Sequence, residues 1–223
     1  MTVQFAIAPA SEDLSSSSVF RGDSAADKES GNLGVVLRYT EDCEIYGEGE
    51  DARYYYKVVS GVVRTCKFLS DGRRVVDAFH VAGDVFGIET DGAHALTAEA
   101  VNDCKIVAYR HPPFDRMGVM VPPQLLVHVL HSLGRAQEHA VLLGCRSAIE
   151  KVATFLLDWA QRSHAVGPIA LAMSRDDIGD YLGLTIETVS RTLTQLERQG
   201  VIELPSVRQF RIKDLDALTE LTT

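Results

Sequence analysis

The sequence predicts an α+β protein built from an N-terminal β-roll, a long amphipathic helix and a C-terminal winged helix-turn-helix. Three observations carry this. Between Leu33 and Tyr109 the chain is a series of short β-rich segments punctuated by glycine. From Leu126 to Leu143 apolar residues recur at spacings of three and four. From Ser174 onward two short helical patterns, a glycine between them and a β-hairpin follow in order. The predicted parts are a disordered tail over 1–30, a β-roll over 31–121, a long helix over 122–144 and a winged helix-turn-helix domain over 145–223.

The bulk properties narrow the class. With 46% hydrophobic and 24% charged residues, the 223-residue chain has the composition of an ordinary globular protein. No apolar run is long enough to span a bilayer, and the polar, acidic start lacks a basic segment followed by an apolar core. A cytoplasmic protein with no membrane partner is expected. Cys43, Cys66, Cys104 and Cys145 form no closely spaced pair, so thiols rather than disulfides are expected, mostly as small buried hydrophobes. The net charge of -9 does not itself exclude nucleic acid, because phosphate contact needs only a local basic surface. The stretch from Met173 to Lys213 balances six basic residues against six acids, so any case for DNA rests on geometry.

The elements are read in chain order. The first thirty residues contain the serine run Ser15–Ser18, several acids and little periodicity, which is the pattern of a solvated arm. Tyr54 to Val59 and Val62 to Leu69 are β-branched and aromatic segments separated by Ser60-Gly61. Asp71-Gly72 then separates the second of them from Val75 to Phe79, a strong hairpin signal. Pro112-Pro113 and Pro122-Pro123 frame a short helix and the start of a long one, with Pro123 suited to a first helical turn. Along the long helix, Leu126, Val129, Leu133, Ala136, Ala140 and Leu143 form a heptad seam predicted to meet a second copy of the chain. Leu125, Leu130 and Val141 lie off this seam and are expected to pack on the β-roll. Gly144-Cys145 reads as a hinge, followed by a helix through Ile149, Val152, Phe155, Leu156 and Trp159.

Ser174 to Asp177 has the form of a capping box, with an acid three residues after the N-cap serine. Ile178, Tyr181 and Leu182 give that helix a buried face, and Gly183 ends it. Thr185 caps a second helix that stops at Gly200. Val189, Leu193 and Leu196 should face inward there, while Glu187, Ser190, Arg191 and Thr194 share the opposite face. A recognition helix reads base edges from its N-terminal half. Arginine donates two parallel bonds to guanine, glutamate accepts from cytosine, and Ile186 could touch a thymine methyl. The predicted base readers are Ile186, Glu187, Ser190 and Arg191. The predicted backbone contacts are Ser174, Thr185, Thr188, Thr194 and Arg208. Val201 to Leu204, a turn at Pro205-Ser206 and Arg208 to Ile212 form the expected wing. On spacing alone, Glu187 and Arg191 could equally be a surface ion pair; the ordered cap, turn, helix and wing favour DNA.

The run from Met173 to Leu193 resembles the DNA-binding region of the CRP/FNR superfamily, most similar to its FixK-type branch. His80 to Gly87 resembles the family's β-roll, a cyclic-nucleotide-binding-domain-like jelly roll, and the likeness extends from about Leu33 onward. In the FNR-like branch a Glu-x-x-Ser-Arg helix reads TTGA and its mirror TCAA, and Glu187, Ser190 and Arg191 match that pattern. The resemblance implies a dimeric activator that contacts RNA polymerase and serves low-oxygen respiration or nitrogen-fixation genes. It does not imply an enzyme.

The effector positions depart from the family's ligand-binding branches. Nucleotide-binding relatives place Glu after the β-roll glycine and Arg further on, but Ile88 follows Gly87 and Leu96 occupies the arginine position. Between Thr90 and Ala98 there is no Lys or Arg, and Asp91 would repel a phosphodiester, so no cyclic nucleotide is expected. Iron–sulfur relatives carry N-terminal cysteines, absent from the first thirty residues; Cys104 alone resembles the internal ligand and reads as a core residue. No cofactor and no metal are therefore expected. Other readings stay open: the same fold gated by an unidentified ligand, by haem through His80 or by oxidation of Cys145. A metal-dependent β-barrel enzyme using His80, Glu89 and His94 is the alternative of a different class.

Overall fold

A computed structural model describes residues 34–110, 123–145, 147–163 and 167–222; of Cys145 only the backbone is described. The predicted N-terminal tail, the Pro112-Pro113 helix and any role of the Cys145 thiol lie outside the described residues.

Eight strands form the N-terminal β-roll: β1 (Val35–Tyr39), β2 (Glu44–Tyr46), β3 (Tyr54–Ser60), β4 (Val63–Phe68), β5 (Arg74–His80), β6 (Val85–Phe86), β7 (Thr97–Ala100) and β8 (Cys104–Arg110). They divide into two antiparallel four-stranded sheets, ordered β1-β8-β3-β6 and β2-β7-β4-β5. The segments on either side of Ser60-Gly61 therefore do not pair with each other. The chain changes sheets there, as a jelly roll requires. Asp71-Gly72 does form the predicted hairpin, with β4 and β5 paired from Val63 opposite His80 to Phe68 opposite Arg74 and a bulge between Thr65 and Cys66. Alternation along β3 and β8 turns Tyr56, Val58, Ile106 and Ala108 inward, where they join Tyr46 and Phe86 in the core of the roll.

Helix α1 (Pro123–Cys145) starts at the predicted proline, whose missing N–H is harmless in a first turn. Its packing differs from the expectation. Leu125 is buried, but Leu130 and Val141 are 55% and 57% exposed. Leu126 and Leu133 are exposed to a similar degree, as are Ala136 and Ala140 of the predicted seam. The helix rests instead on Leu125, Leu142 and polar groups. Arg135 reaches Asp84 of the roll at 3.1 Å, and His139 stacks on Tyr181 with ring centroids 4.0 Å apart. At 3.6 residues per turn, the direction opposite these contacts is centred on Leu126, Leu130, Leu133 and Val141. All six residues of the predicted seam are exposed, and Leu130 and Val141 widen the open apolar face beyond it.

The C-terminal part comprises α2 (Ala148–Ser163), β9 (Ile169–Ala170), α3 (Arg175–Leu182), α4 (Ile186–Arg198), β10 (Ile202–Ser206), β11 (Gln209–Ile212) and α5 (Leu215–Glu220). Val152, Phe155, Leu156 and Trp159 of α2 form a core with Ile178, Leu182, Val189, Leu193, Leu196 and Phe210. The wing contains a third strand, β9, which pairs with β11. Its turn is also moved: Ser206 pairs with Gln209, so Val207 and Arg208 turn while Pro205 and Ser206 extend β10. Proline fits there because β10 is an edge strand, where a missing N–H breaks no ladder. Among the described residues no helix is long and apolar enough to cross a membrane.

Candidate nucleic-acid interface

The local chemistry of α3 and α4 accounts for their angle and for the face they expose. Ser174 caps α3: its hydroxyl accepts from the Asp177 N–H, and the Asp177 carboxylate returns bonds to the serine backbone. Gly183 ends the helix in the left-handed region at φ 63°, which glycine adopts without penalty. One turn earlier, Gly179 leaves room for the next segment. A Cβ there would lie 2.6 Å from the Leu184 carbonyl oxygen, so any side chain would push the two helices apart. Thr185 then caps α4 by accepting from the Thr188 N–H.

Helix α4 is strongly two-sided. Val189, Leu193 and Leu196 are at most 2% exposed, as predicted, and the Thr192 hydroxyl donates back to the Thr188 carbonyl. Ile186, Glu187, Ser190, Arg191 and Thr194 are all exposed, and their spacing gathers them on one outward face. The Arg191 Nε donates to the Glu187 backbone carbonyl at 3.3 Å, which steadies the side chain along the helix. The Glu187 carboxyl is held below its usual range by its own backbone N–H, the Thr185 hydroxyl and the nearby Arg191. It is therefore an acceptor at neutral pH.

The predicted backbone-contact residues fall into two groups. Thr185, Thr188 and Thr194 sit on the rim of the exposed face, bonded locally: Thr185 and Thr188 hydroxyls lie 3.1 Å apart, and Thr194 donates to the Ser190 carbonyl. Ser174 is half-buried and its hydroxyl is engaged within the cap, donating to Asp177 as well as accepting from it. Arg208, in the wing turn, is paired with Glu41 of the β-roll at 3.3 Å, a partner that no local pattern indicated.

Aromatic side chains gather in the core of the β-roll. His94 stacks on Tyr46 with centroids 3.6 Å apart, and Tyr46 stacks in turn on Tyr56 and Phe86. Burial pushes the Tyr46 and Tyr56 hydroxyls up, the latter to about 12, so both stay neutral. Gly87 packs against this group, with a Cβ there meeting Tyr56 at 3.1 Å and Tyr46 at 3.2 Å. His80 is buried on the other side of Phe86, stacked on its ring and bonded through Nε2 to Thr65 at 3.1 Å. Among the described residues no group of three potential ligands is arranged to hold a metal. Cys66 and Cys104 are buried, and burial pushes their thiols up to about 12 and about 11. Cys43 is exposed.

Comparison with known proteins agrees with this geometry. A cyclic nucleotide-binding domain model matches residues 36–118 and a Crp-like helix-turn-helix model matches 150–221. The nitrogen fixation regulation protein FixK of Azorhizobium caulinodans is 47% identical over 199 residues, covering 85% of this chain and 79% of the relative. FixK of Rhizobium meliloti is 37% identical, covering 84% of this chain and 87% of its own. The structure of FixK2 from Bradyrhizobium japonicum superposes with a TM-score of 0.80 at 44% identity, covering 86% of this chain and 98% of that one.

Proposed function

The chain belongs to the CRP/FNR family of DNA-binding transcription regulators, among its FixK-like members, and from that premise we propose a homodimer that reads a TTGA-N6-TCAA-like palindrome without a small effector. The observation that carries the reading is the outward face of α4, where Glu187, Ser190 and Arg191 stand exposed, adjacent and oriented by local bonds. With Nε directed at the Glu187 carbonyl, the Arg191 guanidinium keeps its two terminal nitrogens for guanine O6 and N7. Glu187 accepts from a cytosine N4 amine, Ser190 adapts to either partner, and Ile186 meets a thymine methyl.

Thr185, Thr188 and Thr194 turn their hydroxyls to phosphates, and Arg208 adds a wing contact by exchanging Glu41 for DNA. Ser174 acts by holding the first turn of α3. Pairing through the exposed face of α1 would set the two recognition helices about 34 Å apart, one major-groove repeat. The chain would act in the cytoplasm as an activator, through contact with RNA polymerase, on genes of low-oxygen metabolism or nitrogen fixation; the printed names of its relatives support nitrogen fixation.

Independence from a cyclic nucleotide is supported by the aromatic stack inside the β-roll and by the absence of Lys or Arg in the segment from Thr90 to Ala98. A phosphodiester entering there would displace the Tyr46–His94 stack and find no positive partner, a desolvation cost of several kcal/mol or about that order. The test is fluorescence anisotropy with nucleotide-free, metal-stripped protein at fixed salt. Tight binding to the TTGA/TCAA duplex and weak binding to one with its G·C pairs exchanged is the expected result. Equal affinity for both refutes base reading by α4.

A further inference from the structure

We infer that Arg64 and Arg74, on the paired strands of the β4–β5 hairpin, are positioning residues for DNA reading that set the orientation of the helix-turn-helix through Asp177. The inference rests on the palindrome reading above and extends it to how half-site spacing is fixed.

The Asp177 carboxylate, only 5% exposed, is divided between two tasks. Its Oδ2 accepts from the Ser174 backbone N–H at 3.0 Å and the Ser174 hydroxyl at 2.8 Å, closing the cap of α3. Its Oδ1 accepts from Arg64 Nη1 at 3.2 Å and, closer still, from Arg74 Nη2. Arg74 Nε also donates to Asp180 at 2.8 Å, one turn along the same helix. Arg64 is itself held at the sheet by Glu99 through Nε at 2.7 Å and by Asp42 at 3.4 Å. One oxygen thus shapes the helix that presents α4, and the other fastens that helix to the β-roll.

The bonds are aimed by rigid parts. A guanidinium is planar with donors in fixed directions, so two of them converging on one oxygen constrain rotation as well as distance. Both arginines project from paired strands, Arg64 opposite Phe79 and Arg74 opposite Phe68, on either side of a bulge between Thr65 and Cys66. The roll is in turn tied to the helix that carries the exposed apolar face: Asp84 accepts from Arg135 of α1 at 3.1 Å and from Arg162 of α2 at 2.9 Å. A continuous chain of contacts therefore runs from α1 through the β-roll to α3, in addition to the covalent link between α1 and α2 and the direct stacking of His139 on Tyr181. Buried ion pairs are poor sources of net stability, since desolvation offsets most of their attraction, but they do define a register. Their removal should loosen the separation of two recognition helices more than the contact of either one with its half-site.

The experiment compares the full-length wild type, Arg74→Gln and Asp180→Asn on duplexes whose half-sites are separated by five, six or seven base pairs, and on a single half-site. Wild type should favour the six-base-pair spacer by about tenfold or more. In Arg74→Gln that preference should shrink to about twofold to threefold while single-half-site affinity changes by less than about twofold. Asp180→Asn leaves the cap and both Asp177 bonds in place; it should shift the preference in the same direction by a smaller factor, and it serves if Arg74→Gln does not fold. Undiminished spacer preference in folded variants overturns the inference, as does an equal loss on every duplex, which would mark a purely structural role. If wild type binds none of the TTGA/TCAA duplexes tightly, the palindrome reading itself falls, and the inference with it.

Discussion

Replacing Leu133 by Asp should separate the two copies of the chain. Leu133 is 53% exposed in the protomer, so about half of its hydrophobic transfer free energy remains to be gained in a partner contact. Full burial of a leucine contributes roughly 1.5–3 kcal/mol, which leaves about 1 kcal/mol per side chain and about 2 kcal/mol for both copies. The substitution forfeits that gain and places two carboxylates near a symmetry axis in a drying interface. Desolvation and repulsion there add several kcal/mol or more. A total of about 5 kcal/mol or more corresponds to a dimer weaker by more than about a thousandfold. Sedimentation equilibrium over a range of concentrations reads this directly. Leu130→Asp should behave alike, because Leu130, at 55% exposed, lies beside Leu133 on the open face. A Leu133→Asp protein that sediments as wild type would refute the argument. A dimer lost only with Leu133 and not with Leu130 would restore the narrower heptad seam.

Three further outcomes follow from the side-chain environments. Arg191→Ala should weaken the specific duplex by about 1–3 kcal/mol per half-site and relax the choice of base at the guanine, measured by anisotropy on base-substituted duplexes; equal loss on scrambled DNA would reduce Arg191 to a phosphate contact. Stability should decline as pH falls from 6.5 toward 4 through His80, whose pKa burial lowers from 6.5 to about 4. In that window the unfolded chain binds a proton that the folded one does not, so acid favours unfolding; urea titrations of His80→Gln should show a shallower decline, and an identical slope would exclude His80 as a source. With thiols pushed up to about 12 and about 11, Cys66 and Cys104 should resist iodoacetamide at pH 8 until urea exposes them, while exposed Cys43 reacts first in a mass-spectrometric time course. Rapid native labelling of Cys66 would contradict the packing around it.

Much of the DNA-reading part was legible because its signals are local. A serine three residues before an acid, a glycine at the end of one helix and a threonine at the start of the next specify caps that the backbone then adopts. The two faces of α4 likewise follow from period 3.6 alone. The misplaced wing turn shows the limit of such signals. Pro205-Ser206 is a good turn dipeptide, but pairing of Ser206 with Gln209 extends the strand past it, and an edge position tolerates the proline. On α1 the sequence contains more apolar residues than one face can hold. Periodicity could not tell that Arg135 and His139 would face the protein while Leu130 and Val141 faced outward. The contacts that orient the reading head were not legible at all. Arg74 and Asp177 are separated by 103 residues, and Arg208 and Glu41 by 167, so only the folded sheets bring them together.

The most direct test is selection from a pool of randomised duplexes by purified, nucleotide-free and metal-stripped protein, followed by sequencing of what is retained. The account predicts enrichment of paired TTGA and TCAA half-sites six base pairs apart, with the guanine preference lost in Arg191→Ala. Enrichment of an unrelated motif, or of none until a small molecule is added, would contradict a reader that is assembled without an effector.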